Sequence, residues 1–175
     1  EILRCLVGSE MCIRDRNSKE NPEGEKYDIV ITTKDDDRVK NDFKMKWNFN
    51  NTIWAIGEKS VDQAGCIHTS QGIEFDYVGI IIGKDLRYED GKIVTDYTKR
   101  AKIDRNYGSM KGMKSLYKEN PIEASKLEAE LIKNTYRTIL TRAQRGCYIY
   151  CVDKPLSDYL KNRLTTDQRD NLLSR

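Results

Sequence analysis

The sequence predicts an α/β fold in which helices flank a mainly parallel sheet. Phe75–Ile82 is an almost continuous run of Ile, Val and aromatic residues, which is typical of a strand buried on both faces of a parallel sheet. A helical pattern begins at Asn120, and a second apolar strand, Cys147–Cys151, follows it. Strands that are separated by a long helix predict a layered fold with helices packed on the sheet.

Length and composition limit the class of protein. A chain of 175 residues fits one domain. Its charged fraction of 34% and hydrophobic fraction of 38% are typical of a soluble protein, and no apolar run approaches the roughly 20 residues that a membrane helix needs. Five cysteines, an odd number, argue against a disulfide framework and for a reducing compartment. We therefore expect a cytoplasmic protein without a membrane span.

The chain is expected to divide into a leader, one domain and a tail. Met11–Arg16 resembles the translation of a transposon end used in library preparation, so residues 1–16 are predicted to be a non-native leader. The alternative interpretation is that Ile2–Val7 is a genuine short strand. Residues 17–163 are predicted to form the domain, and residues 164–175 a charged tail.

The first part of the domain is predicted to contain short strands and turns. Tyr27–Ile31 has the β-branched composition of a strand, and the charged Lys34–Asp42 segment is interpreted as a solvated turn or short helix. Trp47 and Trp54 flank a predicted turn at Asn50-Asn51. Either tryptophan could stack on a nucleic-acid base, but a role as a core or lid aromatic is preferred.

A small β-hairpin is predicted after Phe75–Ile82. Its strands, Leu86–Tyr88 and Lys92–Val94, surround the turn Glu89-Asp90-Gly91, and an Asp-Gly pair between short strands is a hairpin signal.

The long helix begins with a strong start signal. In Asn120-Pro121-Ile122-Glu123 the Asn is a predicted N-cap, the Pro occupies the first helical position, and the Glu is placed for a capping box. The helix is expected to run to about Ala143, with a possible break near Asn134, and to end at Gly146. A surface helix is predicted over Pro155–Arg163. The face of the long helix that packs on the sheet is predicted to contain Leu127, Leu131, Ile132, Tyr136, Ile139 and Leu140.

Lys99–Lys118 is the most unbalanced segment in charge. It holds seven Lys or Arg and one acid, a net charge of +6, while the rest of the chain sums to −3. Tyr107 and Tyr117 are interleaved with these cations, so the segment suits a phosphate track for nucleic acid with Lys111 and Lys114 as candidate contacts. A solvated insertion is the other interpretation, and the sequence favours neither.

A polar turn, His68-Thr69-Ser70-Gln71-Gly72, separates two predicted strands. Its glycine would let backbone N–H groups approach a phosphate, and Glu74 is placed to accept a hydrogen bond from a sugar hydroxyl. No metal site is predicted, although the domain has three cysteines and one histidine. Cys147 and Cys151, which share a strand face with Ile149, are expected to pack as small hydrophobic residues.

Two motifs resemble those of a known family. His68-Thr69-Ser70-Gln71-Gly72-Ile73-Glu74-Phe75 resembles motif V of superfamily-one helicases, and Thr141-Arg142-Ala143 resembles their motif VI. Together with Asp85-Leu86-Arg87-Tyr88 and Gly146–Cys151, these two motifs make the sequence of about residues 27–160 resemble the bacterial Schlafen-type DNA/RNA helicase family. The resemblance implies a RecA-like fold of the P-loop NTPase type, here as the second helicase lobe with a small hairpin and a basic insertion.

The resemblance also implies roles for individual residues. In that family an N-terminal RecA-like lobe faces the second lobe across a cleft that holds ATP and Mg2+, and single-stranded DNA or RNA lies across both lobes. Arg142 resembles the catalytic arginine finger; without the motif it would be an ordinary arginine favoured by the end of a helix. The implied nucleotide-binding residues are Gln71, Gly72, Glu74 and Arg137. The implied nucleic-acid-binding residues are His68, Thr69, Ser70 and Arg145, beside Lys111 and Lys114.

One part of an ATPase is missing from this sequence. It contains no Gly-x-x-x-x-Gly-Lys-Ser/Thr phosphate loop, so this chain alone is not expected to hydrolyse ATP. Asp85 ends a strand like a Walker B acid, but the resemblance places that strand in the second lobe, which lacks that site. The alternative function is a non-enzymatic nucleic-acid-binding module built on Lys99–Lys118.

Overall fold

The computed structural model describes residues 3–7, 27, 29–34, 36–47, 60–66, 70, 72–100 and 110–173. Side chains are described for these residues except 3–7, 47, 66 and 165–173. None of the helices in these ranges is long and apolar enough to cross a membrane.

Six strands form the main sheet, which is of mixed type. They are β1 (Leu3–Val7), β2 (Ile29–Ile31), β3 (Phe43–Trp47), β4 (Gln63–Cys66), β5 (Phe75–Ile82) and β8 (Ala143–Cys151). Their order is β2-β3-β4-β1-β5-β8. The pairings of β3 with β4, β4 with β1, β1 with β5 and β5 with β8 are parallel, and β2 pairs with β3 in the antiparallel sense. The predicted α/β class with a mainly parallel sheet agrees with these pairings.

Residues 3–7 lie inside the sheet, although the sequence-based interpretation excluded them from the fold. In β1, Cys5 lies opposite both Ala64 of β4 and Gly79 of β5. The strand thus occupies the position between these two neighbours, as the alternative interpretation of Ile2–Val7 expected. The non-native origin of residues 1–16 stays a prediction.

The connection from β2 to β3 is more ordered than a solvated turn. Thr33 donates to the Asp42 carboxylate from its backbone N–H at 3.0 Å and from its hydroxyl at 3.3 Å. Asp36 is buried between Arg38, whose Nη2 lies 2.6 Å from Asp36 Oδ2, and the Tyr150 hydroxyl at 2.5 Å. This contact ties the connection to β8 at the opposite edge of the sheet. Trp54 and the predicted turn at Asn50-Asn51 lie outside the described residues.

The hairpin is confirmed. β6 (Leu86–Glu89) and β7 (Lys92–Thr95) are antiparallel, and Asp90 and Gly91 between them have φ values of 48° and 78°. Two consecutive residues with positive φ are typical of a type I′ turn, whose twist matches that of the strands.

Three helices complete the described part of the fold: α1 (Met113–Glu119), α2 (Pro121–Leu140) and α3 (Lys154–Leu173). The N-cap of α2 is confirmed, because the Asn120 side chain accepts from the backbone N–H of Glu123 at 3.3 Å. The predicted capping box is not formed, because the Glu123 carboxylate accepts from the Asn120 side-chain amide at 3.0 Å while the Asn120 backbone N–H donates to the Leu116 carbonyl at 2.7 Å. The helix is unbroken at Asn134. Its buried face contains Ala124, Glu128, Ile132, Thr135, Tyr136 and Ile139, whereas Leu127 is 40% exposed.

The predicted end of this helix was wrong. α2 ends at Leu140 rather than near Ala143, and Gly146 lies within β8 instead of capping the helix. The reason is tertiary pairing, because Ala143 lies opposite Phe75 of β5 and the strand begins there. An added Cβ at Gly146 would lie 2.9 Å from Cδ1 of the Tyr77 ring, so the glycine is needed for this close packing.

The last helix extends beyond Arg163, the predicted end of the surface helix, while the assignment of residues 164–175 to a charged tail stays a prediction. α3 continues to Leu173, and the residues after Arg163 contain no Gly or Pro that would stop a helix. At its start, the Asp153 carboxylate accepts from the backbone N–H of Leu156 at 2.9 Å, as an N-cap does.

Apolar side chains pack on both faces of the sheet. On one face, Val78, Ile80 and Ile82 of β5 pack in one cluster with α1, α2 and α3. On the other face a smaller cluster contains Ile29, Ile31, Ala64 and Ile81. The prediction that Cys147 and Cys151 would both be packed was half right, because Cys151 is buried and Cys147 is exposed.

Candidate functional site

Arg142 lies in the turn between α2 and β8. Its backbone N–H donates to the Ile139 carbonyl at 3.2 Å, and its own carbonyl accepts from the backbone N–H of Phe75 at 2.9 Å. These bonds hold Arg142 beside the amino end of β5. A main-chain hydrogen bond thus joins Arg142, in the segment that resembles motif VI, to Phe75, the last residue of the segment that resembles motif V.

The Arg142 guanidinium has several donors to spare. Its Nε donates to the Thr138 carbonyl at 3.1 Å, and its Nη2 donates to the Thr141 hydroxyl oxygen at 3.4 Å. No carboxylate in the described ranges forms an ion pair with it. A guanidinium has five N–H donors, so this half-buried cation can still receive an anionic group in the planar geometry that arginine favours.

Glu74 and Gln144 meet at the amino ends of β5 and β8. Both side chains are exposed, and the Gln144 amide donates to the Glu74 carboxylate at 2.6 Å. The pairing of these strands is irregular here, because Phe75 lies opposite Ala143 but Tyr77 lies opposite Gly146. Two residues of β8 thus face one residue of β5, and such bulges redirect side chains. Gln144 was not among the residues that the sequence singled out.

Arg145, the other residue in the bulge, points to a second carboxylate. Its Nε lies 3.7 Å from Asp76 Oδ1, and the two side chains are 58% and 43% exposed. An exposed pair at this distance contributes little to stability. Arg145 is thus a largely exposed cation that follows Gln144 in the bulge.

The remaining predicted motif V residues are only partly described. Ser70 is fully buried, and its carbonyl accepts from the backbone N–H of Ile73 at 3.1 Å. Gly72 has a φ of 78° with open space around it, so the backbone conformation itself favours glycine. His68, Thr69 and Gln71 lie outside the described residues.

The other predicted contacts lie on the helices. Arg137 is exposed on α2. Lys111 and Lys114 are exposed just before and within α1, and neither forms an ion pair with a described residue. The structure therefore places Arg142, Glu74 and Arg145 at the amino ends of β5 and β8, while the two lysines belong to a different segment.

Sequence reasoning missed a buried polar cluster. Asp85 is 0% exposed and contacts Tyr136 and Arg100, which are 2% and 4% exposed. Tyr136 had been assigned to the apolar face of the helix, and Arg100 to the basic segment. An acidic residue three positions after a buried strand was the available signal, but the partners of Asp85 are 15 and 51 positions away, and no local pattern identifies them.

No metal site is formed by the described residues. Nowhere in those ranges do three or more His, Cys, Asp or Glu side chains lie close enough to hold a metal ion. Burial raises the pKa of the Cys151 thiol to about 11, which keeps it protonated and disfavours metal binding at neutral pH.

Comparison with known proteins gives two matches. The family model described as "Schlafen group 3, DNA/RNA helicase domain" matches residues 3–153. A Saccharomyces cerevisiae protein described as "Uncharacterized protein YPL245W" is 28% identical over 122 residues, which are 67% of this chain and 25% of that protein. The chain thus spans about a quarter of the length of this curated relative. No solved structure matches the chain.

Proposed function

Because this chain belongs to the Schlafen group 3 DNA/RNA helicase domain family, we propose that it is the C-terminal RecA-like lobe of an ATP-dependent helicase or translocase. The parallel pairing of β4, β1, β5 and β8, with α2 packed on one face, supports a lobe of this type. The proposed partners are an N-terminal RecA-like lobe of the same longer protein and single-stranded DNA or RNA. The proposed compartment is the cytoplasm.

The position of Arg142 carries the proposal. In phosphoryl transfer, charge spreads over the γ-phosphate oxygens, and a guanidinium supplied from an opposing surface stabilises it. Main-chain bonds hold Arg142 at the end of α2, and its guanidinium has no carboxylate partner in the described part of the chain. An arginine finger increases the rate by roughly 10³ to 10⁵, or about 4 to 7 kcal/mol.

The neighbouring residues suit the rest of a nucleotide. Glu74 would accept a hydrogen bond from a sugar hydroxyl, and Gln144 holds its carboxylate at 2.6 Å. Gln71, Gly72 and Arg137 are proposed to complete the nucleotide contacts. Mg2+ accompanies ATP, and we propose that the other lobe supplies its protein ligands. The described residues form no group of three or more His, Cys, Asp or Glu side chains that could hold a metal ion.

Nucleic acid is proposed to contact the same lobe. His68, Thr69, Arg145, Lys111 and Lys114 are the proposed contacts. Ser70 was also predicted to contact the nucleic-acid backbone. Because its side chain is fully buried, we propose that Ser70 stabilises the turn instead. The exposure of Lys111 and Lys114 also favours the second candidate function, a nucleic-acid-binding module without enzymatic activity.

Steady-state ATP hydrolysis by the full-length protein tests the assignment of Arg142. With saturating single-stranded nucleic acid, we expect Arg142→Ala to lower kcat by about 10³ or more with little change in KM. Arg142→Lys should not restore turnover, because an ammonium lacks the planar fork. Arg163→Ala, which removes an exposed arginine from α3, is the control. Turnover of Arg142→Ala within a few fold of the unmodified protein would remove Arg142 from the catalytic residues.

A further inference from the structure

A hydrogen-bonded tyrosine joins α2 to the turn that follows β5. The Tyr136 hydroxyl donates to Asp85 Oδ1 at 2.5 Å and accepts from the backbone N–H of Gly83 at 3.0 Å. Both side chains are buried, with Tyr136 2% exposed and Asp85 0% exposed. This hydroxyl therefore uses its donor and its acceptor on residues 83–85, in a site closed to solvent.

Asp85 is held in place from two other sides. Its carbonyl accepts from the backbone N–H of Asp96 at 2.9 Å, which attaches it to the end of the hairpin. Its second carboxylate oxygen accepts from Arg100 Nε at 2.9 Å, and the Arg100 side chain is only 3% exposed. A buried charge that loses its partner is strongly unfavourable. Asp85 is therefore a fixed point to which the Tyr136 hydroxyl is bound.

Much of the remaining contact between α2 and β5 is apolar. Ile132 and Ile139 of α2 pack in one cluster with Val78 and Ile80 of β5. Apolar contacts are non-directional, so they stabilise the pair without fixing where along the strand the helix lies. A buried hydrogen bond does fix this register, because a displaced helix would leave polar groups without partners.

Arg142 depends on the same helix. It follows Tyr136 by six residues, and its carbonyl accepts from the backbone N–H of Phe75, at the start of β5, at 2.9 Å. Hydrogen bonds therefore join the last turns of α2 and the residues that follow them to both ends of β5. Residues 136–140 are helical, so their main-chain hydrogen bonds pass a displacement of Tyr136 on to the turn that contains Arg142.

We propose that Tyr136 and Asp85 are positioning residues that fix the register of α2 against β5 and thereby the position of Arg142. The inference rests on the proposed function of Arg142, and it adds two residues that act through Arg142 rather than on the nucleotide. A displacement of 1 Å far from the chemistry can lower a rate about 10²-fold. The loss of the Tyr136 hydroxyl should therefore appear in kcat.

ATP hydrolysis by the full-length protein with saturating single-stranded nucleic acid tests the effect on turnover. We expect Tyr136→Phe to lower kcat by about tenfold or more with KM for ATP within twofold, because a transition-state contact is misplaced while ground-state binding is kept. Thr135→Val is the matched control. It removes a buried hydroxyl from the same helix, but this hydroxyl donates to the Leu131 carbonyl within α2 at 2.8 Å, so kcat should not change.

Amide hydrogen exchange in the full-length protein without nucleotide tests the register itself and does not depend on catalysis by Arg142. If α2 shifts, the bond from the Phe75 N–H to the Arg142 carbonyl weakens. The Phe75 amide should then exchange about tenfold faster in Tyr136→Phe, whereas the amides that pair β2 with β3 should keep their rates. A structural role alone would instead raise exchange throughout the domain. Mass spectrometry with fragmentation to single residues measures these rates.

A second variant decides the question if circular dichroism shows that Tyr136→Phe does not fold. Asp85→Glu keeps the charge opposite Arg100 and moves the carboxylate by one methylene. It should displace the Tyr136 hydroxyl rather than release it. The expected result is the same fall in kcat, with the same faster exchange at Phe75.

The two measurements separate the positioning role from the proposed function. A folded Tyr136→Phe protein with unmodified kcat and unmodified exchange at Phe75 overturns the positioning role, and so does faster exchange that is equal at Phe75 and in β2 and β3. If Arg142→Ala lowers kcat and Tyr136→Phe does not, the proposed function stands and the positioning role fails. If exchange at Phe75 alone rises but neither variant lowers kcat, the register is set as proposed and the catalytic role of Arg142 fails.

Discussion

The Gln144 amide donates a hydrogen bond of 2.6 Å to the Glu74 carboxylate across 70 positions of sequence. The bulge between the strands makes this contact possible, because it places Gln144 and Arg145 together opposite Asp76. Glu74 is thereby held at the edge of the sheet where Arg142 also lies. Five polar side chains thus lie at the amino ends of β5 and β8: Glu74, Asp76, Arg142, Gln144 and Arg145.

Glu74→Ala in the full-length protein is expected to raise KM for ATP by about tenfold, the equivalent of one hydrogen bond to a charged group. The change in kcat should be smaller, because a sugar contact is made equally in the ground and transition states. Gln144→Ala should act in the same direction with a smaller effect, since it removes only the support of Glu74. Steady-state kinetics measures both variants.

The control for these variants is Glu130→Ala, which removes an exposed glutamate from α2. A fall in kcat with unchanged KM in Glu74→Ala would contradict the sugar contact and indicate a role for Glu74 in the chemical step.

Reversing Lys111 and Lys114 to Glu should weaken single-stranded nucleic-acid binding and flatten its salt dependence. Each phosphate that a cation neutralises contributes a slope of about −0.7 to log K against log salt on single strands. Fluorescence anisotropy titrations at several salt concentrations measure this slope. The same charge change at Lys40 and Lys44, which are exposed elsewhere on the chain, is the control. Equal effects of the two double variants would show that general charge, and not a track, accounts for binding.

Gly146→Ala is expected to lower the free energy of unfolding by about 1 to 3 kcal/mol, the usual effect of overpacking. The added Cβ would lie 2.9 Å and 3.0 Å from two carbons of the Tyr77 ring, so the ring has to move. Denaturant titrations of the 175-residue chain measure the change. Combined with Tyr77→Leu, the substitution should cost much less than alone. Purely additive effects of the two substitutions would contradict the steric explanation.

Tyr150→Phe should flatten the loss of stability at alkaline pH. Burial, and then the hydrogen bond to Asp36, raises the pKa of Tyr150 from 10.0 to about 12. The unfolded chain therefore releases this proton at lower pH than the folded chain, and stability falls as the pH rises from about 10 to about 12. Cys151 has a pKa of about 11 and Tyr117 a pKa of about 12, and both are raised by burial. The stability that these two groups contribute is lost over overlapping pH ranges, so part of the slope should remain in Tyr150→Phe.

Denaturant titrations of the chain between pH 8 and pH 12 check this expectation, with Tyr148→Phe as an exposed control. Tyr150→Phe should also be less stable near neutral pH, because it no longer donates to Asp36. An unchanged alkaline slope in Tyr150→Phe would mean that the Tyr150 phenol does not contribute to it.

Local signals predicted the elements whose causes are local. The N-cap at Asn120 and the turn at Asp90-Gly91 depend on residues within four positions of each other, and both are confirmed. β5 was predicted with its bounds, because an almost continuous apolar run of this length is typical of a strand buried on both faces.

Predictions that depended on distant partners were less accurate. α2 stops at Leu140 because β8 begins its pairing with β5 at Ala143, and Gly146 serves close packing with Tyr77 rather than a helix cap. Leu127 fits the helical apolar pattern but is 40% exposed, whereas Glu128 beside it is buried with polar partners.

The sequence by itself determined the α/β class, the hairpin, the start of the long helix and the residues that resemble the two helicase motifs. Only the tertiary structure decided that Gln144 supports Glu74 and that Asp85 is shared by Arg100 and Tyr136. The physical reason is that periodicity and capping act between residues within about one turn or one strand. The choice of a polar partner depends instead on which elements pack together and on the need to pair every buried charge.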